Sequence, residues 1–323
     1  MRRHVWPLLA LASALFASAA TAQDYPTRPI RMIVAFSAGG TTDYVARVLA
    51  DKVKGALGQP VVIENKPGAN GAIGADFVSK AEPDGYTLFF STAGALSINP
   101  SMRSDLPYDP IKGFTPIVPT ARNTVLFAVN SGLGISTAQE MIARAKEKPG
   151  SITVAITGIG AISHLAIEML QHAANIKLQA VPYRGAGPAI ADLIGGQVNA
   201  MSAEVPVLMP QIKAGKAKVL AISAQSRSDV MPDIPTFAEL GYPDVVADNW
   251  SGVLAPPKTP PAVVAKLNAA FNAVVKDPDV RKKLADNGVS TIGGTPEDLT
   301  ALITSEIARW RKVVAETGVK AER

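Results

Sequence analysis

Two short glycine-rich segments contain the residues best suited to hold a small anion. The first is Phe36-Ser37-Ala38-Gly39-Gly40, and the second is Gly158-Ile159-Gly160-Ala161. Each follows an apolar run that predicts a strand and precedes a pattern that predicts a helix. A helix N-terminus offers unpaired N–H groups with partial positive charge, and glycine lets the backbone approach a ligand closely. The two segments therefore predict a carboxylate site that needs no formal cation.

Asp43 lies in the first helical turn after the first segment. A carboxylate aimed at the ligand would repel an anion, so we expect Asp43 to orient the loop by accepting backbone N–H bonds. The alternative interpretation is an ordinary first-turn carboxylate, placed there because the helix dipole favours negative charge.

The chain is poorly supplied with groups for catalysis, since it has three histidines and no cysteine. The spacings Gly68-x-x-Gly71-x-x-Gly74 and Gly158-x-Gly160-x-x-Ser163 only loosely resemble a dinucleotide loop. Neither a P-loop nor the G-x-S-x-G sequence of hydrolases is present. We therefore expect a non-enzymatic protein without a cofactor. An α/β enzyme that acts on a small anion is the weaker alternative.

His164, Glu168 and His172 are spaced for one face of a helix. Eight helical residues rise about 12 Å, so one metal ion cannot bind both histidines. A metal site would be limited to one His–Glu pair with ligands from elsewhere. The favoured interpretation is a helix-face stripe in which His164 lies near the second glycine loop, and no metal is expected.

The N-terminus has the composition of a secretory signal peptide. Arg2 and Arg3 precede an apolar stretch over residues 5–20, and Ala20-Thr21-Ala22 matches a small-x-small cleavage site. We expect residues 1–22 to be removed before Gln23. A retained membrane anchor is the alternative, but the stretch is short and rich in small residues. With no cysteine to acylate or to form disulfides, the mature chain is expected to be free in the bacterial periplasm.

The mature chain keeps a small positive charge. Loss of Arg2 and Arg3 lowers the formal net charge from +5 to +3. The remaining Lys and Arg are scattered among Asp and Glu without a basic run containing aromatics, so nucleic acid is not an expected partner. A mildly basic surface suits an anionic ligand.

Strand and helix patterns alternate along the mature chain, which predicts an α/β architecture with parallel sheets. Strands are predicted at residues 30–36, 60–64, 87–91, 125–130, 152–157 and 219–223, with one more ending at 254. Helices are predicted at residues 44–57, 163–174, 187–195, 261–276, 278–287 and 296–317. Proline near the first turn marks the start of the last three helices.

One order of elements occurs twice: a strand, a glycine loop, a helix, a strand, and a basic residue close to glycine. The first copy runs from Ile33 to Gly68 and the second from Ile152 to Gly185. Two such units would each place a glycine loop at the C-terminal edge of a sheet, where open α/β sheets bind ligands. Because many strand–helix–strand units share this order, coincidental similarity is the alternative.

Eight segments along the chain together resemble the substrate-binding proteins of tripartite tricarboxylate transporters, the Bug family. The segments are Tyr25-Pro26-Thr27-Arg28-Pro29-Ile30, Ala38-Gly39-Gly40-Thr41-Thr42-Asp43, Glu64-Asn65-Lys66-Pro67-Gly68-Ala69, Pro83-Asp84-Gly85-Tyr86-Thr87-Leu88, Leu106-Pro107-Tyr108-Asp109-Pro110, Val181-Pro182-Tyr183-Arg184-Gly185, Pro232-Asp233-Ile234-Pro235-Thr236 and Trp250-Ser251-Gly252.

The resemblance implies a two-lobe periplasmic-binding-protein (Venus-flytrap) fold, with a doubly wound sheet in each lobe and two crossover strands. It implies a first lobe of residues 23–124 and 246–323 and a second lobe of residues 125–245. It further implies that a small carboxylate is captured between the lobes and delivered to the integral membrane subunits of a permease. We expect the binding protein to be a monomer. A solute sensor that feeds a signalling partner is the alternative function.

The resemblance also implies which side chains lie near the cleft. Tyr183 and Arg184 belong to a segment near it, and Arg184 is either a bidentate partner for a second carboxylate or a solvated loop residue. Thr92 and His164 belong to the expected ligand-binding set. The rings of Phe36 and Trp250 complete it, as surfaces against which the ligand body could pack.

Three departures from the family pattern bear on the ligand. Ala161 stands where a hydroxyl residue is usual, Ala93-Gly94-Ala95-Leu96 replaces a polar run, and Ser202-Ala203 replaces a Phe-Asp pair. Buried polar groups of a ligand cost roughly 1–3 kcal/mol each when they lack partners. The departures therefore predict a carboxylate with an apolar or aromatic body, an aromatic dicarboxylate included, in preference to citrate or an amino acid.

Overall fold

The computed structural model describes residues 25–320, so the signal-peptide prediction for residues 1–22 lies outside the described residues. The strands are β1 (Ile30–Val34), β2 (Val61–Asn65), β3 (Thr87–Thr92), β4 (Thr115–Asn123), β5 (Val125–Asn130), β6 (Thr153–Ile156), β7 (Gln179–Pro182), β8 (Ala200–Glu204), β9 (Ala217–Ile222), β10 (Asn249–Ala255) and β11 (Val289–Thr291). The helices are α1 (Thr41–Leu57), α2 (Ala72–Ser79), α3 (Asn99–Met102), α4 (Ala138–Glu147), α5 (Ile162–Ala174), α6 (Ala186–Ile194), α7 (Val205–Lys213), α8 (Pro261–Lys276), α9 (Pro278–Ala285) and α10 (Pro296–Thr317).

The strands form two sheets with the same internal plan. The first sheet has the order β11-β4-β10-β3-β1-β2, and the second has the order β7-β6-β8-β5-β9. Strand β1, next to the edge strand, pairs in parallel with β2 and β3, as β6 does with β7 and β8. The strands of the predicted sequence repeat, β1–β2 and β6–β7, therefore occupy equivalent positions in the two sheets.

The predicted parallel pairing is present in both sheets, but each sheet is mixed. In the first sheet β10 runs antiparallel to β3 and β4, and in the second β5 runs antiparallel to β8 and β9. Both β5 and β10 follow a passage of the chain from one sheet to the other, and each enters its new sheet in the direction opposite to the neighbouring strands. The predicted two-lobe α/β fold with crossover strands is otherwise confirmed.

Hydrophobic side chains cover both faces of each sheet. One buried cluster joins the first sheet to α1 and α8, and another joins the second sheet to α6 and α7. The largest cluster combines the remaining face of each sheet with α5 and α10, and it includes Phe89, Phe127 and Trp310. This shared cluster includes residues of β1 and β6, the strands that lead into the two glycine loops.

Prolines and a capping box in the sequence explain the helix boundaries that agree best with the prediction. Helices α8, α9 and α10 each have proline in the first turn, and α8 and α10 have the predicted bounds. The Thr295 side chain accepts the Asp298 N–H and the Asp298 carboxylate accepts the Thr295 N–H, which is a capping box for α10. No helix among residues 25–320 is long and apolar enough to span a membrane.

Candidate functional site

The first glycine loop connects β1 to α1 and is held by Asp43. The Asp43 carboxylate accepts the Gly39 N–H at 3.0 Å, which is the backbone contact expected of an orienting residue. Arg47 Nε and Asn65 Nδ2 also donate to this carboxylate, each at 2.9 Å. Burial raises the pKa of Asp43, but the hydrogen bonds from Arg47, Gly39 and Asn65 outweigh it and hold the pKa below its usual value. Asp43 is therefore ionised and directed into the loop at neutral pH.

The N-terminus of α1 has no side-chain cap. Its N-cap residue, Gly40, supplies no side-chain acceptor for the first N–H groups of the helix. Thr41 is buried, and its Oγ1 has no hydrogen-bond partner among the described residues. Gly39, Gly40 and Thr41 line one side of a crevice of about 140 Å³, and Pro206 of α7 lines the other. The uncapped N-terminus of α1 thus lines a space between the two sheets.

The second glycine loop connects β6 to α5 and is held by His164. The Gly160 N–H donates to His164 Nδ1 at 3.1 Å, so Nδ1 is an acceptor and the ring proton is on Nε2. His164 Nε2 lies 3.4 Å from Glu168 Oε1, on the next turn of α5. The structure therefore places His164, which the sequence predicts as a ligand-binding residue, behind the loop as a support for its backbone.

The N-terminus of α5 is also without a side-chain cap. Ala161 is its N-cap residue and is nearly buried, so no hydroxyl competes for the first N–H groups. The Ser163 hydroxyl turns back to Thr157, whose N–H it accepts at 3.2 Å. Gly158 and Gly160 have φ values of 149° and 73°, a region that side chains with Cβ rarely adopt. Both glycine loops thus end in an uncapped helix N-terminus.

The two loops contact opposite lobes in a reciprocal way. A Cβ at Gly185, after β7, would lie 3.5 Å from Ser37 Oγ of the first loop. In the other direction Asn70, after β2, donates from Nδ2 to the Gly160 carbonyl of the second loop at 2.8 Å. Met102 Sδ also lies 3.3 Å from the Cβ position of Gly160. Each loop therefore lies against the segment that follows the second strand of the other repeat.

The Tyr183–Arg184 segment adjoins the first loop through Gly185. The Tyr183 hydroxyl donates to Asp192 Oδ2 at 2.5 Å. Loss of hydration and the neighbouring Asp192 carboxylate raise the pKa of Tyr183 to about 12. Tyr183 is accordingly anchored on α6, whereas Arg184 is exposed and has no ion-pair partner among residues 25–320. Arg184 is the cation that remains available beside the cleft segment.

The remaining predicted residues differ in their access to the cleft. Phe36 and Ser37 are half-buried and Ala38 is exposed. Thr92 is buried, and its Oγ1 accepts the Gly94 N–H at 3.3 Å. Trp250 is 2% exposed and belongs to the largest hydrophobic cluster, so the structure does not bring its ring to an open surface.

Most of the residues on which the prediction of an apolar pocket was based also lie in the core. The side chains of Ala93, Ala95, Leu96 and Ala203 are fully buried. They pack within the two lobes and offer no surface to a ligand, because the chain turns inward after β3 and the Ala203 side chain points into the core behind β8. Their small size therefore says little about how polar the ligand can be.

The sequence interpretation missed several polar residues that shape the site. Asn65 donates to the Phe36 carbonyl at 2.9 Å as well as to Asp43, and it ties β2 to the first loop. Asn249 Nδ2 donates to Glu204 Oε1 at 3.0 Å where the chain crosses between sheets. Burial raises the pKa of Glu204. Asn65 is the last residue of β2 and Asn70 follows that strand, and their position at the end of the first repeat was the available signal.

The described part of the chain offers no alternative metal centre. Among residues 25–320, no group of three or more His, Asp or Glu side chains is arranged to hold a metal ion. Glu168 is the carboxylate next to His164, and His172 is exposed at the far end of α5.

Comparison with known proteins confirms the resemblance seen in the sequence. Residues 45–319 match the model of the tripartite tricarboxylate transporter family receptor, TctC. Protein BugT of Bordetella pertussis is 38% identical over 311 residues, which are 96% of this chain and 95% of that protein.

Two solved structures have the same fold. Rpa4515 of R. palustris with adipate is 33% identical, has a TM-score of 0.88, and matches over 92% of this chain and 99% of its own. MatC (Rpa3494) from Rhodopseudomonas palustris with bound malate is 34% identical, has a TM-score of 0.84, and matches over 90% and 100%. The chain therefore belongs to the tripartite tricarboxylate transporter receptor family and is a periplasmic solute-binding protein.

Proposed function

We propose that the protein captures a small aliphatic dicarboxylate between its two lobes and delivers it to the membrane subunits of a tripartite tricarboxylate transporter. The observation that carries this proposal is the pair of uncapped helix N-termini, of α1 and α5, one behind each glycine loop. Each supplies unpaired N–H groups and the positive end of a helix dipole, which suit one carboxylate apiece.

The proposed ligand-binding residues come from the sequence prediction, except Thr41, which is added because its buried hydroxyl has no partner among the described residues. Thr92, Tyr183 and Trp250 are left out, because their side chains are buried or bonded elsewhere. Gly39, Gly40 and Thr41 face one carboxylate, and Gly158, Gly160 and Ala161 face the other. Asp43 and His164 act indirectly, since each accepts the N–H of a loop glycine. The exposed Arg184 is a further partner for the distal carboxylate. Phe36, Ser37 and Ala38 line the wall beside the ligand chain.

The proposed lobes are residues 23–124 with 246–323, and residues 125–245. The distribution of strands supports these bounds, because β1–β4, β10 and β11 form one sheet and β5–β9 form the other. We propose that the mature protein acts as a monomer, since both glycine loops belong to the same chain. The family to which the chain belongs supports the proposed delivery to a permease.

The choice of a dicarboxylate also draws support from relatives. The structures of two relatives contain adipate and malate, which are linear dicarboxylates of six and four carbons. Helix termini supply roughly 0.3–2 kcal/mol each. A micromolar Kd requires about 8 kcal/mol, so further contacts formed when the lobes close must contribute.

Matched pairs of acids test this proposal by titration calorimetry on the mature protein. Adipate and hexanoate share a six-carbon chain and differ in one carboxylate, as do succinate and butyrate. We expect each dicarboxylate to bind at least about thirtyfold tighter than its monocarboxylate, because a lost charge-assisted contact costs about 2 kcal/mol or more. Equal affinities within both pairs, or tightest binding of aspartate, glutamate or citrate, would contradict the proposal.

A further inference from the structure

Asn70 forms a direct bridge between the lobes. Its Nδ2 donates to the Gly160 carbonyl at 2.8 Å and lies 3.3 Å from Asn99 Oδ1. Both neighbours are acceptors, and this fixes the orientation of the amide. Because the Gly160 N–H donates to His164, the residue at the centre of the second loop is bonded from both lobes.

The loop that carries Asn70 is built within the first lobe. Ala69, Asn70 and Gly71 have consecutive left-handed φ values of 48°, 49° and 89°. Residues with Cβ adopt this conformation only where their surroundings hold it, and such outliers cluster at functional sites. Asn99 Nδ2 holds it here, by donating to the Ala69 carbonyl at 3.0 Å and the Asn70 carbonyl at 3.2 Å. Since Asn99 lies on α3, the loop keeps these bonds whether or not the second lobe is close.

Gly94 provides the space for the Asn70 amide. A Cβ at Gly94 would lie 2.7 Å from Asn70 Oδ1 and 3.2 Å from its Nδ2. Gly94 does not have a positive φ, so the requirement for glycine is one of space rather than of backbone conformation. It begins the π-helical segment Gly94–Ile98, and π-helical turns are frequent at functional sites.

We propose that Asn70 is a closure clasp, a positioning residue that stabilises the closed lobes through the Gly160 carbonyl. The inference rests on the proposed ligand capture and adds a residue outside the carboxylate positions. When the lobes separate, the Asn70–Gly160 bond breaks, while the bonds of Asn99 to the loop remain. Asn70 should therefore slow ligand release by lowering the rate of opening.

The expected size of the effect is that of one neutral hydrogen bond. We expect Asn70→Ala to raise the Kd for adipate about three- to tenfold, where tenfold corresponds to 1.4 kcal/mol. Most of the change should appear in the dissociation rate, as is usual for variants of one interface.

Asn175 supplies a matched control for the backbone. It has the same left-handed φ of 49°, is exposed, and caps the far end of α5. Asn175→Ala therefore introduces the same conformational strain as Asn70→Ala without touching the clasp. We expect both variants to lose similar thermal stability and only Asn70→Ala to release adipate faster.

A double-mutant cycle separates the clasp from general damage to the loop. Gly94→Ala should weaken adipate binding by itself, because the new Cβ displaces the Asn70 amide. In the Asn70→Ala background the same substitution should have almost no further effect, since the displaced group is gone. Additive losses would show that Gly94 acts independently of Asn70 and would count against the clasp.

Lobe closure can be measured without relying on any ligand. The chain has no cysteine, so Ala56→Cys on α1 and Ala191→Cys on α6, both exposed, give one label in each lobe. We expect the interlobe distance distribution to shift to longer values in Asn70→Ala and to be unchanged in Asn175→Ala. Identical distributions and identical adipate release rates in the two variants would overturn the clasp. If neither adipate nor malate binds the native protein, the proposed ligand fails, and the distance measurement alone decides on Asn70.

Discussion

Gly39 and Gly58 offer a comparison between strain at the site and the same strain elsewhere. Both are left-handed, with φ values of 80° and 70°, and a Cβ at either position would meet no atom within 4 Å. Gly39 lies in the first loop, whereas Gly58 caps the C-terminus of α1. Alanine at either position should therefore cost about 1 kcal/mol of stability through φ alone, which is roughly 2–4 °C in Tm.

The two substitutions should differ in ligand binding. The open space beside Gly39 is where we propose that a carboxylate binds, so a methyl group there competes with the anion. We expect Gly39→Ala to raise the Kd for adipate at least about tenfold, the loss of one charge-assisted contact, and Gly58→Ala to leave it unchanged. Titration calorimetry measures the Kd for adipate in both variants, and thermal unfolding measures their Tm. If the two bind adipate equally, the first loop does not hold the carboxylate.

Three further predictions concern charge and export. Glu204→Gln should raise Tm by at least about 2 °C at pH 8 and by much less at pH 4.5. Burial raises the pKa of Glu204 in the folded state, so the native protein loses stability as the pH rises above 4.5. A gain in Tm that does not depend on pH would contradict this. Asp43→Asn should cost about 1–3 kcal/mol in denaturant unfolding at pH 7. That cost should shrink near pH 3, because the depressed pKa contributes stability only above its value, and an equal loss at both pH values would refute the assignment. Mass spectrometry of periplasmic protein should find a chain that begins at Gln23, and a full-length chain in the membrane fraction would contradict cleavage.

The sequence predicts elements well where local chemistry is unambiguous. Helices α8 and α10 begin at prolines and β5 is a plain apolar run, and all three have the predicted bounds. By contrast, β4 contains Pro116 and Pro119, which lack the N–H that a ladder needs, so its sequence does not indicate a strand. The register of β4 against β10 is irregular near these prolines, which accommodates them inside the sheet. Pro206 and Pro210 likewise kept the sequence of α7 from indicating a helix.

The geometry between the lobes is beyond what residue patterns can give. β10 lies beside β3 and β4, more than a hundred residues earlier in the chain, and no local signal specifies that pairing. The same holds for the bond from Asn70 to Gly160, whose partners are 90 positions apart. The glycine loops were visible because glycine spacing is local, whereas the contacts that support them depend on how the two sheets meet.

The two halves of the repeat fix their glycine loops with different side chains. Each loop contains a left-handed glycine whose N–H is accepted four residues later, by the Asp43 carboxylate in the first loop and by the His164 imidazole in the second. The first acceptor is a buried anion neutralised by Arg47, and the second is a neutral ring. In both cases the bond removes the glycine N–H from the set available to a ligand and fixes the peptide planes that follow. We propose that the donors left for the ligand, besides Arg184, are the first N–H groups of α1 and α5, already oriented before binding. Preorganisation of this kind lowers the entropy that binding must overcome, so backbone groups can contribute a larger share of the affinity for a charged ligand.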